Sequence, residues 1–298
     1  MGQYVLTGST HFGLLRTISQ SLAGRTAVIN LFPCSFDELR RFSHPPADPF
    51  EAMFLGGFPA LYDRDVVPAE WFASYVATYV ERDVREVLNV SSLSGFQSFL
   101  RLAAGWTGQL LNMSRLGSDL GISSVTAKSW ISVLETGFIA ERLGPYTRNL
   151  GKREVRTPKL YFTDSGLACW LMGIRSVDQL RHHPQRGAIF ETWVISEIRR
   201  ALTRDPLSPL LHFNRERGGL EVDLIIESGI DVTAVEVRSA ETIASDFFRG
   251  LNRLAEWFEW AGGPGTLRRF LVYAGERGQR RTSATVIPWD RVATTRWH

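Results

Sequence analysis

Acidic residues spaced through the C-terminal part of the chain restrict its fold more than any other sequence feature. Glu191 lies in a segment with helical periodicity, Asp223 lies in the apolar run 221–226, and Glu236 lies in the next apolar run. Short apolar runs bounded by turn residues are typical of buried strands. Arg238 follows Glu236 by two residues and therefore points to the same face of its strand. The pattern predicts a helix packed on two adjacent strands in an α/β domain.

Carboxylates held in this way could bind a divalent cation, and the sequence predicts Mg²⁺ or Mn²⁺ with Asp223 and Glu236 as ligands. Metal-dependent hydrolysis of a phosphodiester needs a metal-activated water. Glu191, Asp223, Glu236 and Arg238 are therefore candidate catalytic residues. Arginine can contact a phosphate but cannot carry a proton at neutral pH, so we expect little or no catalysis. The alternative is that these are acidic strand-end residues without a joint function.

Net charge, cysteine spacing and apolar runs restrict the possible binding partners and the location of the protein only weakly. The 298 residues carry a formal net charge of +3, a mild basic bias that permits nucleic-acid binding. The two cysteines, Cys34 and Cys169, are far apart and lack the spacing of metal ligands. The sequence has no run of about 18 apolar residues and no order of basic and apolar residues typical of a signal peptide. These features predict a cytoplasmic protein that does not associate with membranes.

The middle of the chain has the pattern of a helix-turn-helix followed by a wing. A helix is predicted at about 114–120, a turn at Gly121, and a second helix over 124–134 with Ser123 as its cap. Two strands, at 137–143 and 159–162, flank a basic loop. We expect DNA contacts from short polar and basic side chains, because such groups reach phosphates and base edges. The candidates are Ser124, Thr126, Lys128, Arg148, Lys152 and Arg153. The alternative is a domain used only for packing.

The start of the chain offers groups suited to phosphate, but no nucleotide-binding loop. Ser9 and Thr10 follow a predicted strand and could approach a γ-phosphate, and Arg25 could supply a cation to one. A P-loop requires G-x-x-x-x-G-K-[ST], and none of the three lysines, Lys128, Lys152 and Lys159, stands in that context. We therefore do not expect this chain alone to bind or hydrolyse ATP.

Ordered motifs lie along nearly the whole chain, at residues 4–9, 21–25, 31–39, 54–59, 79–84, 157–166, 187–191, 219–224 and 236–239. Together they resemble a prokaryotic AAA-type ATPase family with a C-terminal domain of unknown function. The resemblance implies four parts: the C-terminal part of an AAA-type ATPase core (1–45), a helical connector or lid (46–110), a winged helix-turn-helix (111–175), and a restriction-endonuclease-like PD-(D/E)XK α/β domain (176–298).

The resemblance also implies roles for individual residues and an N-terminal truncation. Ser9 or Thr10 would lie in the sensor-1 region, Arg25 would be a nucleotide-sensing or finger arginine, and the family favours lysine at position 238. Walker A and Walker B motifs would lie upstream of the first strand. An incomplete N-terminal sheet would leave an exposed edge that favours self-association or a protein partner.

The sequence therefore predicts a cytosolic, DNA-associated protein that binds nucleic acid through its winged helix and nuclease-like domain with little or no catalysis. Two alternatives stay open. One is a metal-dependent nuclease that uses Glu191, Asp223 and Glu236. The other is an ATP-binding ATPase, which requires a gene that begins upstream.

Overall fold

The structure is a computed structural model, and it describes most of the chain after the first 29 residues. Ser9, Thr10 and Arg25 lie outside the described residues, as do Arg148 and the pair Lys152 and Arg153. The described residues are 30–79, 84, 93–146, 157–203, 209–216, 219–260, 262 and 265–297.

Helices dominate the first half of the described chain. The first five are α1 (Phe36–Leu39), α2 (Pro49–Leu55), α3 (Ala60–Asp63), α4 (Pro68–Thr78) and α5 (Leu93–Ala104). In α2, Asp48 accepts hydrogen bonds from the first turn and Pro49 occupies the first helical position, so the helix begins there.

Two consecutive helices follow, joined by a tight turn. Helix α6 (Met113–Leu120) is capped by Asn112, and it ends at Gly121, whose positive φ of 67° is a left-handed conformation that glycine adopts without strain. Helix α7 (Ser124–Thr136) begins after Ser123, whose hydroxyl accepts from Thr126 N at 3.0 Å. The predicted cap is confirmed.

The described strands are β1 (Gln109–Leu110), β2 (Ala140–Pro145), β3 (Lys159–Phe162), β4 (Leu210–Arg215), β5 (Glu221–Ser228), β6 (Asp231–Arg238), β7 (Leu267–Tyr273), β8 (Gln279–Arg280) and β9 (Thr285–Pro288). They form one mixed sheet with the order β1-β3-β2-β4-β5-β6-β7-β9-β8. The predicted α/β fold class is confirmed. Parallel pairing of β2 with β4, at Gly144–His212 and Pro145–Phe213, makes the sheet continuous between the middle and the end of the chain.

Four α-helices follow in the second half of the described chain: α8 (Ser165–Leu171), α9 (Val177–Arg181), α10 (Arg186–Leu202) and α11 (Arg249–Trp260). Two of them, α10 and α11, pack on the part of the sheet that carries the acidic residues. The longest described helix, α10, packs its buried side chains, Phe190 and Val194 among them, in one core with Leu224 and Val235 of β5 and β6. The packing brings the side chains of α10 close to those of β5. Among the described residues, no helix combines the length and the apolar character needed to cross a membrane.

A buried carboxylate joins two of the glycine-containing motifs. Asp164 is fully buried, and it accepts hydrogen bonds from Gly57 N at 2.7 Å and Leu167 N at 2.8 Å. It therefore caps α8 and fixes the segment after α2 at the same time. A Cβ at Gly56 would lie 2.3 Å from Asp164 Oδ1, and one at Gly166 would lie 2.5 Å from Leu55 O. The contacts explain why both motifs contain glycine.

Candidate functional site

Four acidic side chains meet where α10 crosses β5 and β6. Oxygen atoms of Glu191, Glu221 and Asp223 all lie within 4.8 Å of one another. Glu191 comes from α10, whereas Glu221 and Asp223 lie two residues apart on β5 and so share a face. Glu236 stands on the neighbouring strand β6, next to Val237, whose N–H donates to Asp223 Oδ2 at 2.8 Å. The structure thus brings together the predicted residues Glu191, Asp223 and Glu236 and adds Glu221.

A lysine from the middle of the chain lies among these carboxylates. Lys159, the first residue of β3, is only 2% exposed, and its Nζ is 2.8 Å from Glu191 Oε1. The same amine contacts Glu221 Oε1 and lies 4.0 Å from Asp223 Oδ1. Tyr161, two residues later on the same strand, donates its hydroxyl to Glu191 Oε1 at 2.5 Å. Two side chains of β3 therefore complete a site that is otherwise built from residues 191–238.

The lysine is held as a cation. Burial lowers the pKa of Lys159, but the carboxylates of Glu191, Asp223 and Glu221 outweigh this effect and raise it above its usual value. Its amine also lies 5.6 Å from the ring centroid of Phe213, a contact that favours the charged form. An ammonium with three acidic neighbours behaves as an internal counter-ion.

Two arginines balance the remaining acidic charge from the solvent side. Arg238 contacts Glu236 Oε1, and its Nη1 lies 3.6 Å from Asp223 Oδ2. Its side chain is 38% exposed, and its guanidinium lies 5.6 Å from the ring centroid of Phe247. Arg215 Nη1 is 3.1 Å from Glu221 Oε2. At position 238 the arginine therefore bridges two carboxylates at the mouth of the site.

Burial perturbs the acids themselves. It raises the pKa of Glu191 to about 7, with a further contribution from the neighbouring Asp223 charge. The pKa of Asp223 is also raised by burial, against the opposing effects of Lys159 and Arg238. Burial and the Asp223 charge raise the pKa of Glu236 well above its usual value. Glu236 Oε2 is buried without a hydrogen-bond partner among the described residues. The site thus keeps an unused acceptor, as a cation-binding site would.

Sequence reasoning missed four members of this site: Lys159, Tyr161, Arg215 and Glu221. The first two were assigned to the wing, 32 and 30 residues before Glu191. A signal for Lys159 was present, because it is one of three lysines in the chain and it begins a strand of otherwise apolar and aromatic residues. A buried lysine needs a partner, so a lysine at position 159 predicts acidic neighbours.

The candidate DNA-binding residues of the described chain lie on α7. Ser124 and Lys128 are exposed, together with Val125 and Ser129, so one face of the helix carries short side chains and a single cation. Thr126 is half-buried, and its hydroxyl lies 2.8 Å from that of Ser123. Val125 is the apolar exception among these exposed positions, and the others carry polar side chains.

Sequence models of three domains match successive parts of the chain. Residues 1–40 match an AAA domain, residues 47–178 match a domain of unknown function (DUF8612), and residues 186–292 match another (DUF4143). The first and third matches support an AAA-like family for this chain.

Curated relatives occur in mycobacteria. The chain is 26% identical over 296 residues to an uncharacterized protein of Mycobacterium bovis and, equally, to one of Mycobacterium tuberculosis. The matches cover 98% of this chain and 63% of each relative, so the chain spans less than two thirds of their length. The crystal structure of protein VC1899 from Vibrio cholerae matches 92% of this chain and 63% of its own, at 12% identity and a TM-score of 0.26. That score is too low to support an argument about fold.

Proposed function

We propose that this AAA-like chain binds DNA through a winged helix, formed by α6, α7, β2 and β3, and through a restriction-endonuclease-like domain over residues 176–298, with little or no catalysis. The observation that carries the proposal is the exposed face of α7, which begins at a capped N-terminus after the left-handed turn at Gly121. Helices of this arrangement place their first turns against base edges.

The side chains on the exposed face of α7 are of the kinds that contact duplex DNA. Ser124 and Ser129 offer hydroxyls to phosphates or base edges, and Lys128 offers one cation to a phosphate. Val125 is 76% exposed at the first turn of the helix, where a branched apolar group could contact a thymine methyl. A single cation on the helix predicts weak binding by α7 alone, with further contacts from neighbouring parts of the chain.

The carboxylate site supports the absence of efficient hydrolysis. Both cations nearest to Asp223, Lys159 and Arg238, make ion pairs with the acids instead of facing open space. Arg238 cannot carry a proton to a leaving oxygen at neutral pH.

Gel-shift and fluorescence-anisotropy titrations with labelled duplex DNA in EDTA test the binding. We expect Ser129→Glu to weaken binding by about tenfold or more, because it introduces a negative charge at the phosphates. Lys128→Ala should lower the slope of log Kd against log salt by about one. Thr136→Glu is the matched control, since it places the same charge at the far end of the same exposed helix. Equal affinities for wild type, Ser129→Glu and Thr136→Glu would contradict DNA docking by α7.

The proximity of Glu191, Glu221 and Asp223 oxygens favours one second candidate, a metal-dependent nuclease. Under this alternative, linear or branched DNA is cut in Mg²⁺ or Mn²⁺, and Asp223→Ala or Glu236→Ala abolishes the cleavage while the gel shift in EDTA persists. Intact DNA after prolonged incubation with either metal would contradict the nuclease and favour DNA binding without catalysis.

A further inference from the structure

The buried ammonium of Lys159 stands where a divalent cation would be bound. We propose that Lys159 closes a latent metal site formed by Glu191, Glu221 and Asp223, so that Mn²⁺ or Mg²⁺ enters only when the amine leaves. The inference rests on the carboxylate site of the proposed function but does not depend on DNA binding.

Geometry makes ammonium and metal mutually exclusive. Three carboxylate oxygens within 4.8 Å of one another define one position that could be shared by a cation. Lys159 Nζ, at 2.8 Å from Glu191 and in contact with Glu221, already occupies it. Mg²⁺ needs oxygen ligands at about 2.0–2.1 Å in octahedral order, which leaves no room for an amine bound to the same oxygens. A positive charge about 4 Å away would also repel a dication strongly.

One acidic acceptor near the site stays unsatisfied while the lysine is in place. Glu236 is buried, its Oε2 has no hydrogen-bond partner among the described residues, and its Oε1 shares Arg238 with Asp223. Lys159 alone therefore does not satisfy the acceptors that the strands and α10 bring together. Glu236 stands on β6, the strand next to that of Asp223, so a cation that enters after the amine has left could satisfy this buried oxygen.

The lysine also connects the site to the part of the chain that carries α7. Lys159 belongs to β3, which pairs with β2, whereas Glu221 and Asp223 belong to β5. The joint between the two sides is the short parallel pairing of β2 with β4 at Gly144–His212 and Pro145–Phe213. A small displacement of β3 relative to β5 would move the amine from the acids and open the site. Closure by Lys159 is thus an autoinhibitory contact between two sides of one sheet.

The test is calorimetric titration of the full chain with MnCl₂, without nucleic acid. Wild type should bind Mn²⁺ weakly, and Lys159→Met should bind one Mn²⁺ roughly 100-fold more tightly, because a unit charge at this distance is removed. Lys128→Met is the matched control, since it deletes a lysine that is exposed on α7, and it should leave the affinity unchanged. Adding Asp223→Asn to Lys159→Met should abolish the gain.

Removing the lysine leaves acids unpaired, so a charge-balanced variant, Lys159→Met with Glu221→Gln, guards against misfolding. This variant keeps Glu191 and Asp223, and it should still bind Mn²⁺ more tightly than wild type. Equal affinities in wild type and the lysine variants would overturn the proposal, and so would tight binding of one Mn²⁺ by wild type at this site. A protein that fails to bind DNA but gains Mn²⁺ on losing Lys159 would refute the proposed function alone.

Discussion

Two buried acidic sites of this chain are neutralised in different ways. Asp164 accepts hydrogen bonds from the backbone N–H groups of Gly57 and Leu167, which hold it between two motifs. The site around Asp223 relies mainly on side-chain cations, Lys159 and Arg238 among them, which are brought in by different strands. Burial raises the pKa of the acid in both places. A raised pKa therefore does not distinguish a structural acid from a functional one here.

The kind of partner does distinguish them. Backbone donors at Asp164 are fixed by α8 and by the turn after α2, so no ligand can take their place. Side-chain cations can swing away and be exchanged for a metal or a phosphate. The second site also leaves Glu236 Oε2 without a partner among the described residues. We infer that Asp164 stabilises the fold and that the other site can change its occupant.

Loss of the structural acid should have the largest effect. We expect Asp164→Ala to lower the free energy of unfolding by about 3–5 kcal/mol, because it leaves buried N–H groups unsatisfied and creates a cavity. Urea unfolding followed by circular dichroism measures this change. Asp164→Asn is the matched control, since its amide oxygen can still accept one of the two hydrogen bonds, and it should cost less. A loss below about 1 kcal/mol in the alanine variant would show that Asp164 is not a structural anchor.

The glycine facing Asp164 gives the next largest effect. Gly56→Ala should cost about 2–3 kcal/mol, because φ is +69° there and the new Cβ would lie 2.3 Å from Asp164 Oδ1. Gly229→Ala separates the two causes, since its φ is +63° but its surroundings are open. We expect only about 1 kcal/mol for this control. Equal losses in urea unfolding would mean that backbone strain, and not the contact with Asp164, accounts for the glycine at position 56.

Sequence reasoning reached the local elements of the acidic site but not its full membership. The strands of Asp223 and Glu236 and the helix of Glu191 follow from short apolar runs and periodicity, which are properties of neighbouring residues. Lys159 was missed because its place depends on the pairing of β2 with β4, a contact between segments about 70 residues apart. Sheet continuity of this kind leaves no local pattern in a single sequence.

For the glycine-containing motifs, the sequence identified the residues but not their structural role. Residues 54–59 and 157–166 resemble family motifs, and the sequence alone gives no physical reason for their glycines. The structure supplies that reason for Gly56, Gly57 and Gly166, which pack where Asp164 and Leu55 leave no room for a side chain or donate to the acid directly. A motif can thus be read correctly as a resemblance while its residues have a structural role.

The smallest effect on stability is expected at Glu236. At neutral pH, Glu236→Gln should match the stability of the wild type or exceed it by up to about 1 kcal/mol, because a buried charge with an unpartnered oxygen is removed. The raised pKa of Glu236 means that the folded state holds its proton more firmly than the unfolded state. Wild-type stability should therefore fall relative to Glu236→Gln as pH rises above about 4.3, the unfolded value. Urea titrations at pH 5 and pH 7.5 measure this. If Glu236→Gln is clearly less stable than wild type at pH 7.5, the fold requires the ionised carboxylate of Glu236, and Glu236 has a structural role like that of Asp164.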